Sequence, residues 1–230
     1  MGSDRVVLIT GASSGIGEAT ARAASAAGHR VVLAARSADR LSAIAAELGG
    51  EGRALAVECD VTEWPQQQAL VRRAVDAFGG IDVAFANAGF GAKRGFLAES
   101  PEHWRQMVLT NVYGAALTVR ACFEELTARR GHLLLMGSVA GRKVAPGSVY
   151  SATKWAVTAM SEAARLELDG SGVRVTLVSP GTVETAFYDE PVGGAQLTAD
   201  DVARAVLFAI EQPPHVDVNE ILIRPTVQGF

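Results

Sequence analysis

Tyr150 and Lys154 stand four positions apart in YSATK, a stretch otherwise made of small residues. On a helix, positions i and i+4 share a face, so the phenol and the ammonium can meet. A unit charge about 4 Å from a phenolate, at an effective dielectric of about 20, contributes roughly 4 kcal/mol, or about three pKa units. A phenol that starts near 10 then approaches the working range of a general acid/base. The alternative is an ordinary helix-surface pair, and spacing alone does not separate the two. Ser138 follows the apolar run HLLLMG. At the carboxyl end of a strand its hydroxyl either donates to the oxygen of a carbonyl being reduced or caps a turn.

A second constellation precedes these residues. The chain reads VVLITGASSGIG and continues into the helical run EATARAASAA. Gly11, Gly15 and Gly17, with Ser13, Ser14 and Ile16 between them, form a strand–glycine–helix junction. Its backbone can approach a pyrophosphate at the positive end of a helix dipole. The spacing departs from G-x-G-x-x-G and lacks the G-K-[ST] ending of a P-loop, so the expected ligand is a nucleotide cofactor and phosphoryl transfer is disfavoured. At the end of the second strand Ala35 occupies the position where an acidic residue would take the ribose of NAD, and Arg36 follows it. The guanidinium either meets the 2′-phosphate of NADP with its planar fork or lies in water; the expected cofactor is NADP(H). Asp60, in CDVT, either accepts from an adenine amino group or starts the helix marked by Thr62 and Pro65.

The elements that must position these groups alternate along the chain. Short β-branched runs predict strands near 5–10, 30–35, 54–58, 81–86, 132–136, 173–179 and 220–224. Amphipathic, alanine-rich stretches predict helices near 15–27, 38–48, 64–78, 102–128, 149–169 and 199–211. Gly28 and Gly49 end helices, and Thr198 stands as an N-cap. No linker divides the chain, so residues 1–230 are read as one α/β domain, a Rossmann-like doubly wound parallel sheet of about seven strands flanked by helices.

Composition narrows the function classes. With 230 residues, 49% of them hydrophobic, the chain can bury a sizeable core, and a net charge of -4 offers no broad basic surface for nucleic acid. Cys59 and Cys122 lack the spacing of a secreted disulfide scaffold, which fits a reducing cytoplasm. The apolar run Val6 to Ile9 is too short for a signal-peptide core, and no stretch approaches the roughly 20 apolar residues that span a bilayer. A soluble, intracellular protein without a membrane partner is expected. His29, His103, His132 and His215 are scattered without HExxH or paired CxxC, so no metal is expected. Ser138 sits in GSVAG, which is not the G-x-S-x-G of a hydrolase elbow.

Over nearly its whole length the sequence resembles the short-chain dehydrogenase/reductase family. The matching pieces are TGASSGIG at 10–17, DV at 60–61, ANAG at 86–89, Asn111 in LTNVYG, Ser138 in MGSVAG, YSATK at 150–154 and PGTVET at 180–185. The resemblance implies a carbonyl–alcohol oxidoreductase with Ser138 polarising the substrate, Tyr150 as acid/base, and Lys154 binding the nicotinamide ribose while acidifying the tyrosine. Asn111 would kink its helix and hold a water against the lysine. Asp60 and Val61, and the turn Asn87, Ala88 and Gly89, would serve the adenosine half of the cofactor; Pro180, Gly181, Val183 and Thr185 would cover the nicotinamide. Ala86 departs from the family's more usual asparagine. A substrate loop is expected at about 186–197, with Phe90, Val139, Val144, Phe187 and Tyr188 lining the pocket. Arg142 and Lys143 could attract a carboxylate, and the tail VNEILIRPTVQGF resembles the branch containing NADP-dependent 3-hydroxy acid dehydrogenases. The family also implies a homodimer or homotetramer through the helices at 102–128 and 149–169. Two other classes compete: a non-enzymatic NADP sensor on the same fold, and an S-adenosylmethionine methyltransferase with a similar glycine loop.

Overall fold

A computed structural model describes residues 4–185 and 195–229. Phe187 and Tyr188, and most of the expected substrate loop, lie outside the described residues.

The chain alternates strand and helix: β1 Val6–Thr10, α1 Gly15–Ala26, β2 Arg30–Ala35, α2 Ala38–Glu47, β3 Ala54–Glu58, α3 Trp64–Phe78 and β4 Val83–Ala86. There follow α4 Pro101–Val108, a π-helical segment Leu109–Gly114, α5 Ala115–Arg129, β5 His132–Met136, a 3-10 turn Val139–Gly141, α6 Val149–Glu167 and β6 Arg174–Pro180. The short strands β7 Val183–Glu184 and β8 Leu197–Thr198, then α7 Ala199–Glu211 and β9 Glu220–Ile223, complete the described elements.

Seven strands form one parallel sheet in the order β3-β2-β1-β4-β5-β6-β9. The expected Rossmann-like fold is therefore present. Strand side chains alternate between two buried faces, as a pleat of period two requires. Val7, Ile9, Val31 and Leu33 pack with residues of α1, α2 and α7, whereas Val6, Leu8, Val32 and Ala34 pack with residues of α3, α5 and α6. Burial on both faces explains why these strands read as continuous apolar runs. Chain order reverses between β1 and β4, which opens a crevice at their carboxyl ends.

Helix ends follow the sequence signals. Gly28 and Gly49 take φ of +93° and +105° just past α1 and α2. Thr198 caps α7 with a full capping box, its side chain exchanging hydrogen bonds with Asp201. The helix expected at 102–128, with a kink at Asn111, widens to π geometry at Leu109–Gly114. Gly114 packs there so closely on Val61 that a Cβ would stand 2.6 Å from its Cγ2. Asn111, in the same segment, turns its amide onto the backbone of Phe90. A π segment absorbs the extra residue that both contacts demand.

Candidate active site

The glycine junction is built for close approach. Gly11 and Gly15 have φ of +67° and +53°, the left-handed region that disfavours a side chain. A Cβ on Gly17 would stand 2.3 Å from the Gly11 carbonyl oxygen, and one on Gly11 would stand 2.9 Å from Ala88 Cα. The loop thus lies flush on the turn after β4. Asn87 Nδ2 donates to the Thr10 carbonyl at 2.8 Å, while Thr10 Oγ1 accepts from the amides of Asn87 and Ala88 at 3.0 and 3.1 Å. Ser14, the N-cap of α1, is extended and makes no capping bond with its side chain.

These groups open onto one cleft of about 1270 Å³. Its wall includes Gly11, Ser13, Ser14, Gly15, Ile16 and Gly17, then Arg36, Asp60 and Val61, then Asn87, Ala88, Gly89 and Phe90. It continues through Ser138, Val139, Val144, Tyr150 and Lys154 to Pro180, Gly181, Val183 and Thr185. Every described residue expected in the site lines this cleft except Arg142 and Asn111, the latter buried behind Phe90 and Gly89.

At the end of the cleft beside β2, Ala35 is buried and Arg36 is exposed at the strand's tip, with no hydrogen bond or ion pair to another described residue. Arg40 and Asp39 lie on the first turn of α2, away from the cleft wall. Asp60 stands in the turn after β3. Its Oδ1 accepts from the amide and hydroxyl of Thr62 at 2.9 and 2.8 Å, shaping the turn before α3, and the residue also lines the cleft.

At the reactive end, Ser138 takes an extended conformation as N-cap of the 3-10 turn, and its Oγ accepts from the Ala140 amide at 3.1 Å. With one lone pair so engaged, the hydroxyl keeps its proton for a further acceptor. Tyr150 and Lys154 occupy the first turns of α6, whose N-cap Ser148 accepts from the Ser151 amide at 3.1 Å. Lys154 is 4% exposed. Its Nζ donates to the Met136 carbonyl at 2.8 Å and lies 5.6 Å from the centroid of the Tyr150 ring. Burial pushes the ammonium down from its ordinary 10.5 to about 8.

Asn111 fixes its surroundings with every polar atom of its amide. Oδ1 accepts from the Phe90 amide at 3.0 Å; Nδ2 donates to the Phe90 carbonyl at 2.9 Å and to Thr153 Oγ1 at 3.2 Å. Thr153 in turn donates to the Tyr150 carbonyl at 2.8 Å. The side chain therefore ties the loop after β4 to the helix that carries the tyrosine.

One expectation is corrected. Arg142 does not face the cleft; Nε and Nη2 form a bidentate pair with Glu220 at 2.9 and 2.6 Å. A guanidinium so engaged is unavailable to a substrate carboxylate. Lys143 does line the cleft, as do Lys93 and Arg94. Sequence reasoning passed over Thr10, Thr153, Gly137 and Gly141. Gly137 lies where a Cβ would meet Ser179 Oγ at 2.7 Å, and Gly141 where one would meet the Lys154 carbonyl oxygen at 2.7 Å. Both glycines stand in MGSVAG, but only the folded chain shows what they approach.

The profile of the short chain dehydrogenase family matches residues 5–192. This chain is a short-chain dehydrogenase. The dehydrogenase is 36% identical over 247 residues to dehydrogenase/reductase SDR family member 11 of Gallus gallus, covering 97% of each chain. Among solved structures it is similar to an alcohol dehydrogenase of the archaeon Thermococcus sibiricus complexed with 5-hydroxy-NADP, with TM-score 0.91, 32% identity and 98% of both chains covered. It is also similar to serine dehydrogenase from Escherichia coli, with TM-score 0.89 and 32% identity over 98% of this chain and 100% of that one. An oxidoreductase of small molecules with a nicotinamide cofactor follows from membership. The methyltransferase alternative loses its ground. Among the described residues no helix is long and apolar enough to cross a membrane, and no group of three or more His, Cys, Asp or Glu side chains could hold a metal ion.

Proposed function

We propose that this short-chain dehydrogenase interconverts a ketone or aldehyde and its alcohol with NADP(H), Tyr150 acting as general acid/base. The observation that carries the reading is that Ser138, Tyr150 and Lys154 line the same cleft as the glycine junction and Arg36. The cradle fits a dinucleotide: backbone without side chains at Gly11, Gly15 and Gly17, an open helix N-terminus at Ser14, and Arg36 unengaged by described neighbours at the tip of β2. Asn87, Ala88, Gly89, Asp60 and Val61 would flank the adenosine half, and Pro180, Gly181, Val183 and Thr185 the nicotinamide. When bound, the cofactor supplies or accepts the hydride. The protein holds and protonates the substrate oxygen. Ser138 Oγ–H stabilises the developing alkoxide, Tyr150 delivers the proton, and the Lys154 ammonium favours the phenolate that remains. Asn111, by holding Phe90 and Thr153, keeps loop and helix in register; the water it would hold against Lys154 completes the proposed proton path.

A second reading, an NADP-dependent 3-hydroxy acid dehydrogenase, has support from the cations Lys93, Arg94 and Lys143 on the cleft wall. The similar protein of Escherichia coli is named for serine, whose hydroxyl is on carbon 3. Phe90, Val139 and Val144 would supply the apolar part of the pocket, and the loop at 186–197, with Phe187 and Tyr188, its cover. The homodimer or homotetramer proposed through α4, α5 and α6 has support from Val108, Tyr113, Trp155 and Leu166, which are exposed on α4, the π segment and α6. A cytoplasmic location fits Cys59 and Cys122, both free and buried.

The test is a panel of ketones, aldehydes and hydroxy acids followed by NADPH absorbance, with NADH as comparison. Tyr150→Phe should lower kcat by about 10²–10⁴-fold while NADPH still raises Tm. A Tyr150→Phe enzyme of full activity removes the acid/base assignment, and activity with neither cofactor favours the sensor.

A further inference from the structure

Ser138 is the first residue of a small closed turn. Its Oγ accepts from Ala140, its carbonyl accepts from the Gly141 amide at 2.8 Å, and the Arg142 amide donates to the Val139 carbonyl at 3.0 Å. The inner end of the turn is fixed by backbone: the Gly137 amide donates to the Val178 carbonyl at 2.7 Å. Its middle is pressed on α6 at Gly141, where there is no room for a Cβ. Its outer end carries Arg142, and Arg142 reaches across to Glu220, the first residue of β9, which lies 78 positions further along the chain.

The partner carboxylate also has a second bond. Ser179 Oγ, on β6, donates to Glu220 Oε1 at 3.2 Å. Ser179 Oγ in turn sits 2.7 Å from where a Cβ on Gly137 would be. Arg142, Glu220 and Ser179 therefore bracket Ser138 from both ends, spanning the loop after β5, the end of β6 and the start of β9. Both charged side chains are 31% exposed, and the pair is bidentate, which fixes direction as well as distance.

We propose that Arg142 and Glu220 are positioning residues for Ser138: their ion pair holds the 3-10 turn so that the serine hydroxyl points into the cleft. The inference rests on the reading of Ser138 as the group that polarises the substrate oxygen. Neither residue lines the cleft, so both would act through the turn. Misplacing a polarising group by about 1 Å costs up to about 100-fold in rate, and loosening one anchor of three should cost about tenfold.

The test uses Arg142→Met, which keeps an apolar stem of similar length, and Glu220→Gln, each alone and in a Ser138→Ala background. In both single variants kcat should fall about tenfold while the dissociation constant for NADPH stays within twofold. Hydrogen exchange at the amides of Ala140, Gly141 and Arg142 should quicken, with the rest of the sheet unchanged. In the Ser138→Ala background the same substitutions should change kcat by less than twofold, because the group they orient is gone. Unchanged exchange at the turn, or a loss in kcat of equal size with and without Ser138, overturns the proposal. If Ser138→Ala is too slow to follow, exchange at the turn decides it. A Ser138→Ala enzyme with full activity would instead refute the role of Ser138 itself, and the positioning proposal with it.

Discussion

Replacing Lys154 by Met should stabilise the cofactor-free protein at neutral pH and lose that advantage as the solution becomes alkaline. Burial lowers the ammonium from 10.5 to about 8. Below pH 8 the lysine is protonated in folded and unfolded chains alike, and the fold carries the whole cost of the buried charge. Between pH 8 and 10.5 the folded lysine releases its proton while the unfolded one retains it. The unfolded state then binds more protons, so stability rises with pH. A displacement of this size corresponds to about 3 kcal/mol. The Met variant forgoes the 2.8 Å hydrogen bond from the charged ammonium to the Met136 carbonyl, worth about 2 kcal/mol. The net gain at pH 7 is about 1 kcal/mol, or roughly 2–4 °C in Tm for a chain of this length. Thermal melts of both proteins without cofactor, from pH 7 to about 10, measure the gap directly, since groups common to the two cancel. A gap that does not narrow with pH, or a variant less stable than wild type at pH 7, would refute the argument that desolvation dominates at this lysine.

Two further predictions concern the cofactor cradle. Arg36→Ala should weaken NADPH binding by about 10–100-fold, the value of one to two charge-assisted hydrogen bonds, and leave NADH binding within about twofold; equal losses in titrations of both cofactors would remove the arginine from their discrimination. Gly17→Ala places a Cβ 2.3 Å from a backbone oxygen that has no flexible end to yield, so a loss of about 1–3 kcal/mol is expected in denaturant unfolding, together with weaker NADPH binding. An unchanged midpoint would show that the loop and the turn after β4 can separate.

The sequence made legible what is local or periodic. Val6 to Ile9 alternate between two buried faces, and a run buried on both sides reads as apolar whichever partner it meets. Thr198 and Asp201 form a capping box three positions apart. The glycine junction and the Tyr150–Lys154 pair, which meet in one cleft, were readable because they are local devices, whereas Asn111 and the turn at Asn87 to Gly89 came only from the family resemblance. What stayed hidden depends on pairs distant in sequence. Nothing near Arg142 announces Glu220, and an exposed loop arginine between a serine and a tyrosine looks like a solvated cation. Nor does LTNVYG, whose Thr, Asn, Val and Gly are merely weak helix formers, by itself announce a π segment. The widening is imposed by Val61 pressing on Gly114 and by Phe90 drawing in Asn111. Gly137 and Gly141 belong with these: their absent side chains matter only because Ser179 and Lys154 arrive from elsewhere.

The contacts that fix the reactive groups go mostly to backbone, and that has a consequence for specificity. Lys154 is anchored on the Met136 carbonyl, Asn111 on both backbone groups of Phe90, and Gly137 on Val178. Met136 ends β5, Val178 lies within β6 and Phe90 is on the loop after β4, so the geometry of the proposed proton delivery depends on sheet register. It does not depend on the identity of the side chains at the cleft mouth. Lys93, Arg94, Lys143 and Val144 lie on the loops after β4 and β5, where a change disturbs no strand. A scaffold of this kind can hold one chemistry constant while its mouth is rewritten. Similar structures with the same 32% identity to this chain are accordingly named for an alcohol in one case and for serine in the other. On this reasoning, exchanging Lys93, Arg94 and Lys143 for neutral residues should move preference among carbonyl substrates while leaving the Tyr150-dependent step intact.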